Sequence, residues 1–230
     1  MADRPYTLLS CGISIDGYLD GVAEKRLLLS NDADFDRVDS VRAGCDAILV
    51  GAGTIRRDNP RLLVRSAARR DERVARGQCP SPVKVTVTRH ARLDPDADFF
   101  VAGESEKLVY CAREGLAQAR ASLGKVATII DAGESVDLHR MGADLSARGI
   151  DRLMVEGGGT IHTQFLTADL ADELHLVVAP LFVGDSRAPR FVGDGRFPWN
   201  EARRATLAET RQIGDVVFLR YALSERFGTR

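Results

Sequence analysis

The sequence predicts an α/β fold with a largely parallel sheet and an antiparallel finish. Short apolar runs recur along the chain, each bounded by glycine or polar residues, as strands covered on both faces require. Helix-like stretches separate most of these runs. The last two runs instead follow one another through a short connection containing Gly214 and Asp215, which suits a hairpin. Strand–helix alternation followed by consecutive strands is the pattern of a mainly parallel sheet with antiparallel strands at its end.

In chain order, the first strand is expected at residues 6–11. A helix is expected at 32–42, where Phe35, Val38 and Val41 repeat at three-residue spacing. Ser30, Asn31 and Asp32 offer it N-cap oxygens, and Gly44 offers a stop. Strands follow at 47–50 and 83–87. Between them, residues 56–76 hold eight arginines against three acids. The stretch 66–82, rich in Ala, Arg and Pro, reads as a solvated, mobile surface loop or a frayed helix. Strands at 108–111 and 126–130 flank a helix at 113–123 that stops at Gly124. A helix at 138–147 stops at Gly149, and strands at 153–155 and 174–179 follow. The closing pair is expected at 205–211 and 216–223, and no internal repeat is visible.

The 230 residues are expected to form one domain over 1–230. The 44% hydrophobic and 28% charged fractions are those of a globular chain, which excludes a disordered or low-complexity one. A net charge of -1 and an aromatic fraction of 6% argue against a nucleic-acid binder, which needs a basic face or stacking rings. No apolar run approaches the roughly 20 residues that span a bilayer. The apolar run at 6–11 is too short for a signal peptide, so a cytoplasmic protein is expected. Cys11, Cys45, Cys79 and Cys111 are widely spaced, and the four histidines form no ligand pattern. The cysteines read as buried small hydrophobes or surface thiols, with neither disulfide nor metal site expected.

Three glycine-containing strand exits carry the candidate chemistry. Val155-Glu156-Gly157-Gly158-Gly159-Thr160 ends a strand and opens a helix, so its backbone N–H groups and helix dipole could cradle a phosphate. A tight strand-to-helix turn explains the glycines nearly as well. Residues 50–62 also leave a strand through Gly51 and Gly53. Asp58-Asn59-Pro60 reads there as a turn, with Thr54 and Asp58 as polar contacts and Arg61 or Arg65 facing an anion as the functional alternative. Ser14-Ile15-Asp16-Gly17 is a turn signal first and a buried acid beside a ligand second. Exits of this kind on an α/β sheet gather where ligands bind.

Taken in order, S-x-D-G at 14–17, V-G-x-G-T at 50–54, D-x-P-x-L-x-x-R at 58–65 and V-E-G-G at 155–158 resemble the reductase domain of bifunctional riboflavin-biosynthesis proteins. That domain has the dihydrofolate-reductase-like three-layer fold, and the resemblance runs from residue 5 to about 223. No H-x-E or P-C-x-x-C zinc signature occurs, so the chain resembles the reductase half alone. The resemblance implies hydride transfer from NADPH that converts the ribosyl group of 5-amino-6-(5-phosphoribosylamino)uracil to a ribityl group. It implies cofactor contacts from Gly12, Ser14, Gly51, Gly53, Thr54, Asp58, Gly157, Gly158, Gly159 and Thr160, with Thr88 and Arg89 near the adenosine 2′-phosphate. Arg42, Leu62, Arg65, Asn59 and Ser30 would form the substrate side, and relatives of this kind imply a homodimer. For Arg42, a favourable charge at a helix C-terminus is the competing explanation.

The chain departs from the family pattern in two places. Residues 31–35 (NDADF) lack the arginine frequent in that helix's first turn, and Asn59 replaces a frequent second aspartate. Hydride transfer needs neither protein nucleophile nor metal, only positioning and a proton as the sugar ring opens. Glu156 and Asp16 are the candidate proton carriers. A reductase of the same fold acting on another substrate, such as a dihydropterin, is one alternative. A non-catalytic NADPH-binding module is another.

Overall fold

Residues 47–51 (AILVG) carry no polar side chain, and the computed structural model buries all five as a strand. It describes residues 3–23 and 26–228. Nine strands and seven α-helices are present among them. They run β1 (Tyr6–Ser14), α1 (Asp32–Ala43), β2 (Ala47–Gly51), α2 (Ala52–Asp58), α3 (Ala67–Ala75), β3 (Val83–Thr88), α4 (Asp98–Val101) and β4 (Lys107–Cys111). There follow α5 (Leu116–Leu123), β5 (Thr128–Asp131), α6 (Leu138–Ala147), β6 (Arg152–Gly157), α7 (Gly159–Thr167), β7 (Glu173–Ala179), β8 (Thr206–Ile213) and β9 (Val216–Ala222). The strand order is β5-β4-β3-β2-β6-β1-β7-β9-β8. Parallel pairing gives way to antiparallel pairing at β9 and β8, as the hydrophobic pattern predicts. The chain divides into two compact units, Met1–Pro5 with Asp39–Met154 and Tyr6–Val38 with Val155–Arg230.

In the first unit β2, β3, β4 and β5 are parallel and in step. Gly51 lies opposite Val87, Thr88 opposite Cys111, and Cys111 opposite Asp131, so the carboxyl ends share one edge. Lys84, on β3, is wholly buried. Its Nζ donates to the carbonyls of Phe99 (2.9 Å) and Ala102 (2.6 Å), where α4 ends. A cation there answers the carbonyls left over at a helix C-terminus. Burial pushes its pKa down to about 8.

The arginine-rich stretch after residue 66 is not a mobile loop. Ser66 caps α3 by accepting from the Arg69 N–H, and Arg73 is buried on the helix's inner side. The Arg73 guanidinium donates to the carbonyls of Ala43 (2.9 Å), Cys45 (2.8 Å) and Cys79 (2.9 Å), tying the end of α1 with its connection to β2, and the loop before β3, to one helix. Residues 52–58 form a helix, closed by Asn59 in the left-handed region (φ 41°), where the turn at 58–60 was expected. The strand expected at 126–130 begins later, because the N–H groups of Val126 and Ala127 turn back to the Leu123 carbonyl.

In the second unit β1 pairs with β7 in parallel, and pairing continues through Gly12, Ile13 and Ser14, so β1 outruns its apolar core. Leu29, Val177, Ala179, Val216 and Phe218 form a hydrophobic cluster beside this pair. Two successive carboxylates anchor the start of β7. Asp172 accepts from the Thr7 N–H (2.8 Å), the Ser224 hydroxyl (2.7 Å) and Arg226 (3.1 Å). Glu173 accepts from the Tyr6 hydroxyl (2.7 Å), His175 Nε2 (2.7 Å) and Arg220 Nε (2.5 Å). With Nε2–H committed to Glu173, His175 Nδ1 accepts from Arg37 (3.3 Å), whose Nε donates to Asp34 (2.6 Å). Among the described residues, no helix is long and apolar enough to cross a membrane.

Burial alone would push the Glu173 carboxyl up, but its three donors outweigh that and hold it down to about 2, against an ordinary 4.5. Because the folded value lies below the unfolded one, the stabilisation is complete above pH 4.5 and is lost as pH falls toward 2. Glu173→Gln is expected to flatten this acid limb in denaturation series across that range. It is also expected to cost roughly 3 kcal/mol at neutral pH, as breaking a buried charge network does. An unchanged acid limb would show that Glu173 does not link protonation to folding.

Candidate active site

The substrate-side residues expected in the first unit converge on one segment. Arg42, in the last turn of α1, donates from Nη1 to the Leu63 carbonyl (3.2 Å), between Leu62 and Arg65. Leu62 is buried with a positive φ of 50°, so its backbone is turned sharply at that point. The segment is pinned by Asp39, which accepts from the backbone N–H groups of Arg65 (2.5 Å) and Ser66 (3.1 Å) and from the Arg69 guanidinium (2.9 Å). The Arg65 side chain is 58% exposed, with Nε 4.0 Å from Asp39. Arg42, Leu62 and Arg65 are therefore neighbours, and Asp39, which no sequence signal marked, sets their backbone.

Two expected contacts in this unit have other work. Asn59, expected on the substrate side, is exposed and accepts from the Asp98 N–H (2.7 Å), joining the end of α2 to the start of α4. Thr88 is buried, and its hydroxyl accepts from the Ala91 N–H (3.0 Å), closing the turn after β3 rather than meeting a phosphate. Gly51, Gly53, Thr54 and Asp58 all lie at the exit of β2, with Gly51 as the extended N-cap of α2 and Asp58 its last residue. Arg89 follows β3 and is ion-paired with Glu114.

In the second unit Ser14 is fully buried. Its hydroxyl accepts from the Tyr18 N–H (3.0 Å) and donates to Asp16 (2.6 Å), so it closes the turn and does not face a cofactor. Asp16 also accepts from the N–H groups of Val183 (3.1 Å) and Gly184 (2.7 Å). The Ser14 hydroxyl first, then those backbone N–H groups, hold its carboxyl down at about 2. The carboxylate, expected as a proton carrier, latches the 183–184 backbone. Ser30 donates its proton to Asp34 (2.5 Å) and so belongs to the Arg37–His175–Glu173 network rather than to a substrate. Gly12 lets residue 29 pass close by: a Cβ there would sit 3.2 Å from the Leu29 carbonyl oxygen.

The glycine turn between β6 and α7 is built as a cradle. Glu156 is half-buried at the end of β6. Gly157 has φ 108°, the Gly157–Gly158 peptide is cis, and Gly158 is the helix N-cap. A Cβ on Gly159 would lie 2.3 Å from the Arg190 carbonyl oxygen, and one on Gly157 would lie 2.7 Å from His162 Nε2. His162 is wholly buried, and neither ring nitrogen has a hydrogen-bond partner among the described residues. Burial pushes its pKa down to about 4, so it packs as a neutral ring beside Phe191. No acid lies in the first turn of α7, and Thr160 there is exposed. A side-chain-free backbone turn at a nine-residue helix's positive end fits a phosphate diester of a dinucleotide. His162 had no signal in the sequence, because a lone histidine on an apolar helix face looks like core.

The chain was compared with known proteins. The family described as RibD C-terminal domain matches residues 5–219. A reductase of Archaeoglobus fulgidus, named for 2,5-diamino-6-ribosylamino-4(3H)-pyrimidinone 5′-phosphate, is 33% identical over 225 residues, covering 97% of this chain and 99% of its own. A Methanothermobacter thermautotrophicus protein of the same name is 37% identical over 183 residues, covering 79% and 80%. Among solved structures, a pyrimidine reductase-like protein from Corynebacterium diphtheriae superposes with a TM-score of 0.78 at 24% identity, over 95% of this chain and 91% of its own, which supports the fold. With the expected motifs in place at the strand exits and nearly the whole chain matched, the protein belongs to the RibD C-terminal domain family.

Proposed function

We propose that the chain, acting as one domain, is an NADPH-dependent reductase of riboflavin biosynthesis. Its substrate is a ribosylaminopyrimidine 5′-phosphate, whose ribosyl group becomes ribityl. The observation that carries this is the glycine cradle Gly157–Gly158 with Glu156 beside it, in a chain matched end to end by a reductase of that name. The relatives' names differ in the base: some carry the 2,5-diaminopyrimidinone and others the corresponding uracil. The ribosylamine and its phosphate are common to both, and the names at 33% and 37% identity favour the diamino form.

When bound, the reduced nicotinamide supplies a hydride. The chain's own groups do the rest. In the second unit the N-terminus of α7 and the Gly157–Gly159 backbone hold a cofactor phosphate and Gly12 is a further cofactor contact; in the first unit the cofactor contacts are Gly51, Gly53, Thr54 and Asp58. Arg42 and Arg65, brought together around Leu62 and Leu63, take the substrate phosphate. Glu156 gives a proton to the ring oxygen as the C1′–O4′ bond opens, leaving C1′ electrophilic. Asp16, Ser14, Ser30, Asn59 and Thr88 support this arrangement by fixing the turns that carry it.

The deciding experiment follows NADPH absorbance with each phosphoribosylaminopyrimidine and identifies the product by mass spectrometry. A ribityl product supports the reading. NADPH binding without turnover of either base would overturn it. Glu156→Gln is expected to lower turnover at least about 100-fold while NADPH affinity stays within about twofold of wild type. Equal losses in both would remove Glu156 from proton transfer.

The reading also places the enzyme in the cytoplasm, free of nucleic acid and membrane, as a homodimer. Supporting self-association, Ile15 and Phe182 are 51% and 70% exposed, and the Ile15 N–H donates to the adjacent Leu181 carbonyl. Large apolar side chains gathered at a surface commonly mark an interface. Light scattering is expected to return twice the chain mass of 25.1 kDa; the mass of one chain would refute the dimer.

A further inference from the structure

Two strand exits on the carboxyl edge of the first unit are locked together by a glycine. β3 continues into Arg89 and His90, and β4 continues into a tight turn at Arg113–Gly115. A Cβ on Gly115 would lie 2.4 Å from the Arg89 carbonyl oxygen, 2.8 Å from Cys111 Sγ and 3.0 Å from His90 Cα. Only glycine allows that approach, and it delivers the preceding residue, Glu114, to the basic pair. Glu114 Oε1 accepts from Arg89 Nε and lies 3.4 Å from His90 Nδ1. The neighbouring Arg113 does not offset this charge, since its guanidinium is engaged by Asp131 and Glu134.

The Arg89 and Glu114 side chains are 74% and 43% exposed, so their pairing adds little to stability. The two exits are also joined by the hydrogen bond from the Ala112 N–H to the Thr88 carbonyl (3.0 Å), with Gly115 permitting their close approach. The ion pair can therefore open to a ligand at small cost. Ligands of open α/β sheets bind along the carboxyl ends of the strands. There a guanidinium suits a ribose 2′-phosphate, and a carboxylate suits a free ribose 2′-hydroxyl. This edge presents both groups on one atom pair.

We infer that Glu114 is a specificity-determining residue that competes with the cofactor's 2′-phosphate for Arg89 and His90, and so sets the preference between NADPH and NADH. The inference rests on the NADPH reading above and deepens it. In the open pair Arg89 turns to the phosphate and Glu114 is left as a nearby like charge. With NADH, Glu114 keeps Arg89 and accepts from the 2′-hydroxyl.

The test is direct binding, by fluorescence titration, of NADPH, NADH, 2′,5′-ADP and 5′-AMP to wild type, Glu114→Gln and Arg89→Gln. Glu114→Gln is expected to tighten NADPH and 2′,5′-ADP by about fivefold or more, with 5′-AMP within about twofold. Arg89→Gln is expected to weaken NADPH and 2′,5′-ADP at least about tenfold and to leave NADH within about threefold. Wild type that binds NADPH while Glu114→Gln shifts both dinucleotides equally, or neither, overturns the role of Glu114 and spares the cofactor reading. Wild type that binds neither dinucleotide overturns the cofactor reading itself.

Discussion

A parallel strand covered on both faces leaves polar chemistry no room except at its ends, and that constraint organises this protein. All five residues of β2 are buried, as are all but the first residues of β3 and β4. Their backbone groups are taken by neighbouring strands, so the bodies of these strands are apolar support except on β3, where Lys84 and Thr86 are buried. Many candidate contacts lie at a strand exit: Gly51 and Thr54 after β2, Arg89 after β3, Glu114 after β4, Glu156 and the glycines after β6; Gly12 sits within β1, and Leu62 and Arg65 in the loop between α2 and α3.

Where charge does enter the interior, it is fully partnered. Asp172 and Glu173 start β7 side by side and gather donors from β1, β9 and the segment after it. Lys84 and Arg73 both donate to backbone carbonyls. A buried cation served by carbonyls holds loops and helix ends at defined positions, because each hydrogen bond lost would leave an unsatisfied acceptor in the core. The apolar pattern sets the layers, and these few ions set the connections between successive elements.

The difference between what the sequence reveals and what it hides follows from the same physics. Hydrophobic runs report burial, so the order of the strands and the parallel-then-antiparallel finish were legible, while the short helices α2 and α4 were not. Glycines report places that exclude a Cβ, so the turn at 157–159 was legible as a close backbone approach, here to His162 and the Arg190 carbonyl. Polar turn residues report only that an oxygen is needed nearby. Ser14, Ser30, Asn59 and Thr88 look like ligand contacts because the oxygen that could meet a ligand is the same one that meets a backbone N–H or a carboxylate. Their partners are distant in sequence or hidden in the backbone. Asp16 shows this most plainly: its partners at 183 and 184 are main-chain groups with no residue signature. Arg73 was illegible for that reason too, and Glu114 acquires meaning only because Gly115 presses it against the neighbouring exit.

The arginine-rich stretch ends as something other than surface decoration. To a protease that cuts after arginine, residues 56–76 are the richest target in the chain. Cleavage, however, needs an extended stretch of backbone; only Arg61 and Arg65, between the helices, offer one, whereas α2 and α3 hold five of the arginines in helices. Arg73 lies inside, holding the end of α1 at 43, the connection at 45 and the loop at 79, so α3 cannot peel away without uncovering the base of β2 and the approach to β3. Nicking within α3 therefore reports opening of the first unit rather than fraying of a loose end. The region that looks most expendable is a built-in gauge of that unit's integrity.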